Sequence, residues 1–192
     1  MIKFYTNREL AQKFHINLAR WKRWSREFLP PDPLGGLQTG YARQYNPNEA
    51  FILYLAGHLV GEMKFSITEV RRILSTVHPW LAEHGFLFDF SGGVNSASKD
   101  PQSTALFSAY QLIVIPGKQC IGKEASVICL ARGVEIAGDR PDSKGRRQCY
   151  VELPVGTGAN EFRLEDITSY RVLNISVLRR NFLNALKEVP CA

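Results

Sequence analysis

The residues best suited to binding a ligand lie between positions 18 and 28, where bulky aromatic residues are interspersed with cationic ones. An α-helix turns by about 100° per residue, so this segment would have two distinct sides. One side would carry three aromatic residues, Trp21, Trp24 and Phe28. The opposite side would carry three cations around one small residue: Lys22, Arg23, Arg26 and Ala19. Arginine on such a face can pair with O6 and N7 of guanine in the major groove. The pattern predicts a DNA-binding helix, and a merely solvated basic face is the alternative interpretation.

The charge of the chain is concentrated near this helix. The 192 residues carry a net charge of +6, and residues 1–30 hold seven basic and two acidic side chains. That segment alone therefore has a net charge of +5, and the rest of the chain is close to neutral. A local cationic patch of this kind favours an acidic partner such as nucleic acid.

The residues on either side of this helix carry the signals of a helix-turn-helix. Thr6 opens a capping box, which predicts a first helix up to about Phe14. A short break at residues 15–17 follows, and Asn17 is a suitable cap for the second helix. The prolines from Pro30 onward then end that helix. Two short helices joined by a three-residue turn are typical of helix-turn-helix DNA-binding proteins.

The next residues predict a small hairpin and two further helices. Glycines frame the segment 35–45, and Arg43 near the tip of that hairpin could contact a phosphate or the minor groove. Asn46 begins a third helix, and Ser66 begins a fourth. In the fourth helix, apolar residues recur at helical spacing as far as Pro79, which is expected to end or kink the helix.

Taken in order, these elements resemble the MerR-like winged helix-turn-helix domain over residues 4–77. The resemblance rests on five segments that have the order and spacing of the family. They are Phe4-Tyr5-Thr6-Asn7-Arg8-Glu9-Leu10-Ala11, Ile16-Asn17, Trp21-Lys22-Arg23-Trp24-Ser25-Arg26-Glu27-Phe28-Leu29-Pro30-Pro31, Gly40-Tyr41-Ala42-Arg43-Gln44-Tyr45-Asn46, and the helix from Ser66 to Leu74. The resemblance implies a winged helix-turn-helix fold that binds double-stranded DNA.

The resemblance also indicates which side chains would meet DNA. Lys22 and Arg23 stand at family positions that touch DNA, and Arg43 takes the position of the wing arginine. Thr6 and Asn7 begin the first helix, whose backbone N–H groups can meet a phosphate. The full predicted DNA-binding set is Thr6, Asn7, Ala19, Arg20, Lys22, Arg23, Arg26, Tyr41 and Arg43.

The chain departs from the family pattern in the turn, in the second helix and after the fourth. His15 replaces the glycine of the turn, and Ser25 replaces a glutamate in the second helix. Histidine is less comfortable than glycine in a left-handed backbone conformation. The apolar heptads after Ser66 last only about two turns, whereas a coiled coil needs three or four heptads. The long dimerisation helix of regulatory family members is therefore not expected here.

The second half of the chain predicts a different kind of unit. A Ser/Gly/Asn-rich stretch at 91–105 is the best linker candidate. After it, apolar residues alternate in four segments that predict strands, Tyr110 to Ile115, Ser126 to Ile136, 149–155 and Tyr170 to Ile175. Ser176 then begins a final helix.

The expected fold class is therefore α+β: a helical winged helix-turn-helix domain, then a small, mostly antiparallel sheet domain with a C-terminal helix. The predicted bounds are 1–85 for the DNA-binding domain, 86–105 for the linker and 106–192 for the dimerisation or effector domain.

The sequence contains no recognisable catalytic or metal-binding constellation. No two of the four cysteines are spaced as C-x-x-C, and Cys120, Cys129 and Cys149 are expected to be buried apolar residues. The later histidines lack the spacing of a metal site, and none follows His84 to act as a general base. We therefore predict no enzyme activity, no metal and no cofactor.

These features leave three functional hypotheses open. The first is a sequence-specific DNA-binding protein, a bacterial or phage transcriptional regulator that acts as a homodimer on a pseudo-palindromic site. Its C-terminal unit would dimerise or bind an unidentified small-molecule effector. The alternative is a phage or mobile-element DNA-processing protein, excisionase-like or small-terminase-like, with the same winged domain. The third makes the C-terminal unit an enzyme or a sensor. No apolar run could span a membrane and the start lacks a secretory signal, so the expected location is cytoplasmic.

Overall fold

The computed structural model of the protein describes residues 3–32, 42–88, 109–116, 127–136, 148–156 and 167–187. Within this part of the chain there are five helices and two antiparallel sheets. Helices dominate the N-terminal part, and a four-stranded sheet with a C-terminal helix follows. The predicted mixed class of helices and antiparallel sheet is therefore confirmed.

The first four helices begin where capping residues predict them. They are α1 (Asn7–Lys13), α2 (Leu18–Phe28), α3 (Pro47–Gly61) and α4 (Ile67–Glu83). At α1, the backbone N–H of Glu9 donates to the Thr6 hydroxyl, and the Thr6 N–H donates to the Glu9 carboxylate at 2.6 Å. The hydrogen bond from Thr6 holds the pKa of Glu9 below its ordinary value. Equivalent capping boxes open α3 and α4.

A residue in the left-handed conformation forms the turn between α1 and α2. His15 has a φ of 52°, a value that glycine adopts most readily. The N–H of Ile16 donates to the carbonyl of Ala11 at 2.9 Å, and the N–H of His15 donates to Gln12 at 3.1 Å. These two bonds are the pattern of a Schellman motif, which satisfies the last carbonyls of α1. The turn is thus left-handed even though a histidine, and not a glycine, occupies it.

Two short strands connect the start of the chain to the residues before α3. The strand β1 (Tyr5–Thr6) pairs antiparallel with β2 (Gln44–Tyr45), and Tyr5 lies opposite Tyr45. Most of the hairpin predicted over 35–45 lies outside the described residues. Its described end, β2, pairs with β1 and so ties the segment before α3 to the start of α1.

The fourth helix does not end at its proline. α4 continues past Pro79 to Glu83, although proline cannot donate a backbone hydrogen bond. Val77, Trp80 and Leu81 are buried on either side of Pro79. Their burial favours continuation of the helix over the local preference of proline.

The larger sheet has the strand order β5-β4-β3-β6, and each pair of adjacent strands is antiparallel. Its strands are β3 (Ala109–Ile115), β4 (Ile128–Ile136), β5 (Gln148–Val155) and β6 (Arg171–Asn174). All four predicted strands are therefore present. Leu112, Val114, Cys129 and Ala131 are buried on one face, which bears out the burial predicted for Cys129. Residues 89–105 of the predicted linker, the turn around 138–145, Cys120 and the side chain of Cys149 lie outside the described part of the structure.

The chain divides into two compact units that are not consecutive stretches of sequence. The first comprises Met1–Leu74, Leu87–Ser91 and Arg179–Ala192, and the second comprises Ser75–Phe86 and Gly92–Leu178. The last helix, α5 (Ile175–Lys187), ends in the first unit. There, the ring of Phe182 lies 5.4 Å from that of Phe14 and 5.2 Å from that of Phe51. The Lys13 ammonium donates to the carbonyl of Leu186 at 3.2 Å. The sequence predicts two successive domains, whereas Phe182 of α5 packs in the core of the first unit.

Replacing Gly57 by alanine should destabilise the first unit. A Cβ at this position in α3 would lie 2.8 Å from both Cε3 and Cη2 of Trp24, which is too close for carbon atoms. Such overpacking typically costs about 1–3 kcal/mol, more than the roughly 1 kcal/mol that alanine gains over glycine in a helix. Urea denaturation of Gly57→Ala should therefore show a lower free energy of unfolding.

Gly61→Ala is the matched control in the same helix. No atom lies within 4 Å of a Cβ built at Gly61, so this variant should be as stable as the parent or up to about 1 kcal/mol more stable. Equal stability of the two variants would show that Trp24 does not pack against α3 as described.

Candidate nucleic-acid interface

The cationic side of α2 is open to solvent. The predicted contact residues on this helix are all exposed: Ala19, Arg20, Lys22, Arg23 and Arg26. Within the described residues, none of the four cations has an ion pair or a hydrogen bond from its side chain. Trp21 and Trp24 on the opposite side are buried, and Phe28 is half-buried. The helix therefore has the two sides that the sequence predicts.

Aromatic contacts fix the rotation of α2 about its axis. The fully buried ring of Trp21 lies 5.7 Å from the ring of Phe14 and meets Tyr45 edge-on at 6.2 Å. Trp24 packs against α3 at Gly57, where a side chain would leave no room for the indole. Because both indoles are locked inward, the cations between them in sequence must point outward.

The C-terminal end of α2 is anchored separately. Nε of Arg71 donates to the backbone carbonyl of Glu27 at 2.9 Å, and its Nη2 donates to the Glu27 carboxylate at 2.5 Å. The carbonyls of the last turn lack partners within their own helix, and a cation is favourable there. Arg71 therefore ties α2 to α4.

A buried polar contact holds α1, α2 and β2 together. The hydroxyl oxygen of Tyr45 lies 2.7 Å from Oδ1 of Asn7 and 2.8 Å from Oγ of Ser25. Ser25 is 4% exposed and Tyr45 is 1% exposed, so these polar groups depend on one another for hydrogen bonds. Burial raises the pKa of Tyr45 above its ordinary value. The phenol is therefore neutral at physiological pH and keeps the proton that it donates.

Three of the predicted contact residues are not free side chains on the described surface: two are bound within the protein, and one is not described. Arg43 donates to the carbonyl of Pro30 at 2.9 Å, pairs with the Glu49 carboxylate at 3.4 Å and lies over the ring of Tyr45. Its side chain is only 14% exposed, so in this structure it stabilises the position of β2 and is not available to bind a phosphate. The Thr6 hydroxyl is used by the capping box of α1. Tyr41 lies outside the described residues.

A cleft of about 380 Å³ lies between α2, the start of α1 and β2. Polar and cationic residues form much of its lining: Asn7, Lys22, Ser25, Arg26, Arg43 and Tyr45. Leu29 and Pro30 contribute an apolar wall. The structure therefore brings predicted contact residues from three separate segments, Asn7, Lys22 with Arg26, and Arg43, to one concave surface.

Sequence reasoning missed the roles of Ser25 and Tyr45. The signal was present, because Ser25 lies beside Trp21 and Trp24 on the apolar side of the helical projection. A polar residue on a buried face needs a hydrogen-bond partner. Which residue supplies that partner depends on the pairing of β1 with β2, and the sequence did not predict that pairing.

The described part of the chain contains no group of three or more histidine, cysteine, aspartate or glutamate residues that could hold a metal ion. None of its helices combines the length and apolar character needed to cross a membrane. No protein-family model, curated protein or solved structure matches this chain. The MerR-like resemblance accordingly rests on the residues quoted above.

Replacing Tyr45 by phenylalanine should destabilise the first unit. The change removes one oxygen atom and leaves the buried Ser25 hydroxyl without its partner. An unsatisfied buried polar group costs about 1–3 kcal/mol, which should appear in the free energy of unfolding measured by urea denaturation.

Tyr54→Phe is the control for this variant. Tyr54 is half-buried among the rings of Phe14 and Phe182, and its hydroxyl has no hydrogen-bond partner within the described chain. Its loss should change stability by less than about 0.5 kcal/mol. A Tyr45→Phe protein as stable as Tyr54→Phe would mean that the buried contact does not hold the three elements together.

Proposed function

We propose that this protein binds double-stranded DNA in a sequence-specific way and acts as a bacterial or phage MerR-like transcriptional regulator. One observation carries the proposal. The outer side of α2 presents Arg20, Lys22, Arg23 and Arg26 to solvent, and none of them has an ion pair within the described chain. A helix with this face can enter the major groove, where phosphates and base edges supply the missing partners.

The surrounding geometry supports the same proposal. α1, the left-handed turn at His15 and α2 follow one another as in helix-turn-helix proteins, in which the second helix reads the groove. Arg23 lies one helical turn after Ala19, the small residue at the centre of the cationic side, and is the side chain assigned to a base contact. Lys22 and Arg26 border the cleft and are assigned to phosphates.

The second unit, which contains the four-stranded sheet, is assigned to assembly or to binding of an effector. Helix-turn-helix proteins commonly bind as dimers to two half-sites, so we propose that this protein binds DNA as a homodimer. Tyr150, Val151 and Leu153 on the edge strand β5 are exposed apolar side chains, which suit contact with a partner. No catalytic residue is assigned, and a regulator of this kind would work in the cytoplasm.

A second candidate is a phage or mobile-element protein that processes DNA with the same winged domain. The observation that favours it is the end of α4 at Glu83, after 17 residues. Two-stranded coiled coils need a longer uninterrupted apolar seam. Dimerisation through a long helix, as in regulatory MerR-like proteins, therefore has no counterpart in α4.

Binding to a random-sequence DNA duplex, followed by fluorescence anisotropy, tests the charge contribution. With four to six phosphate contacts, log K should fall with log salt at a slope of about −4 to −5. Lys22→Gln should reduce that slope by about 1, because one phosphate contact is lost. Arg180→Gln removes the same charge from an exposed position on α5 and should leave the slope unchanged. Identical slopes for the two variants would contradict the assignment of α2.

Genome-wide recovery of bound DNA separates the two candidates, with a Lys22/Arg23 double variant as the control. Sites near promoters support a regulator, and sites confined to the ends of a mobile element or phage genome support DNA processing. Arg23→Ala should cost about 1–3 kcal/mol at the recovered sites and relax their specificity. Equal recovery by the parent and the double variant would rule out α2 as the reading helix.

A further inference from the structure

The side chain of Asn7 offers hydrogen-bond donors to the cleft beside α2. Its Oδ1 accepts from the Tyr45 hydroxyl at 2.7 Å, so the carbonyl end of the amide faces the protein. Its Nδ2, which carries two donor hydrogens, has no hydrogen-bond partner within the described residues. Asn7 also lines the cleft. The amide nitrogen is therefore the end of this side chain that remains for a ligand.

Buried groups lie against the carbonyl end of this amide. The Tyr45 hydroxyl donates to Oδ1 of Asn7, which can only accept. The same hydroxyl lies 2.8 Å from Oγ of Ser25, and both Tyr45 and Ser25 are buried. The carbonyl end of the Asn7 amide is therefore held by Tyr45, and Nδ2 is at the other end.

The remaining polar groups of the cleft have the same donor character. Lys22 and Arg26 line it, and neither has a partner in the described chain. Asp32 adds one carboxylate to the lining, against the two cations Lys22 and Arg26. Arg43 also lines the cleft, but it is bound to Pro30 and its charge is paired with the Glu49 carboxylate, so it supplies no free donor.

We propose that this cleft binds a phosphate group through Nδ2 of Asn7, the Lys22 ammonium and the Arg26 guanidinium, with Ser25 and Tyr45 as positioning residues. The inference rests on the proposed function, in which the phosphate belongs to the DNA backbone. Free donors and excess positive charge suit the acceptor oxygens of a phosphate. A free phosphate has the same chemistry and is the other possible source.

Asn7→Asp tests the site with little change in shape. An aspartate oxygen still accepts from Tyr45, while the two donors are replaced by a negative charge. Affinity for a random-sequence duplex at low salt should fall about tenfold or more. Asn184→Asp, at an exposed position on α5, makes the same chemical change and should lower affinity far less. The side-chain amide signal of Asn7 in NMR spectra of the full chain reports occupancy directly.

The two phosphate sources give different results in these measurements. Movement of the Asn7 signal by the duplex, together with the loss of affinity in Asn7→Asp, supports a backbone phosphate in the cleft. Movement by inorganic phosphate without any duplex binding supports a site for a free phosphate and overturns the DNA-binding function. If the duplex binds the parent, Asn7→Asp and Asn184→Asp alike and does not move the Asn7 signal, the proposed phosphate site is overturned and DNA binding is left intact. If neither the duplex nor inorganic phosphate moves the Asn7 signal, the proposed phosphate site is overturned as well.

Discussion

The burial of two tryptophans on one side of α2 is the constraint on which the rest of the interface depends. Trp21 is enclosed by Phe14 and Tyr45, and Trp24 fills the space that Gly57 leaves open on α3. A large aromatic side chain buries enough apolar surface to stabilise a small unit by several kcal/mol. A rotation of α2 that hid its cations would expose both indoles. The hydrophobic core therefore decides which side of the helix faces solvent.

The polar contact at Tyr45 adds a second constraint of a different kind. Apolar packing tolerates small sliding movements, whereas hydrogen bonds of 2.7 and 2.8 Å require defined atomic positions. By joining Asn7 of α1 to Ser25 of α2 through β2, the hydroxyl fixes the helix-turn-helix relative to the strand beside it. Arg43 and Glu49 extend this bracing to the start of α3.

The features that the sequence predicts are those that depend on residues close together in the chain. The bounds of α2 and the caps at Thr6 and Asn46 depend on neighbours within four residues, and they were predicted correctly. The two sides of α2 follow from helical geometry alone. The place of Phe182 in the first unit and the partners of Arg43 depend on residues far away in sequence. Periodicity contains no information about such contacts, so both were missed.

The cationic side of α2 carries an energetic cost that bears on its purpose. Arg23 lies three residues from both Arg20 and Arg26, and Lys22 lies four residues from Arg26, so like charges are neighbours on the helix surface. Each such pair disfavours an isolated helix by about 0.2–0.5 kcal/mol. The buried tryptophans of α2 more than offset this repulsion in the folded protein. A row of phosphates along α2 would turn the repulsion into attraction, so the feature that weakens the free helix is the one that would strengthen a complex with nucleic acid.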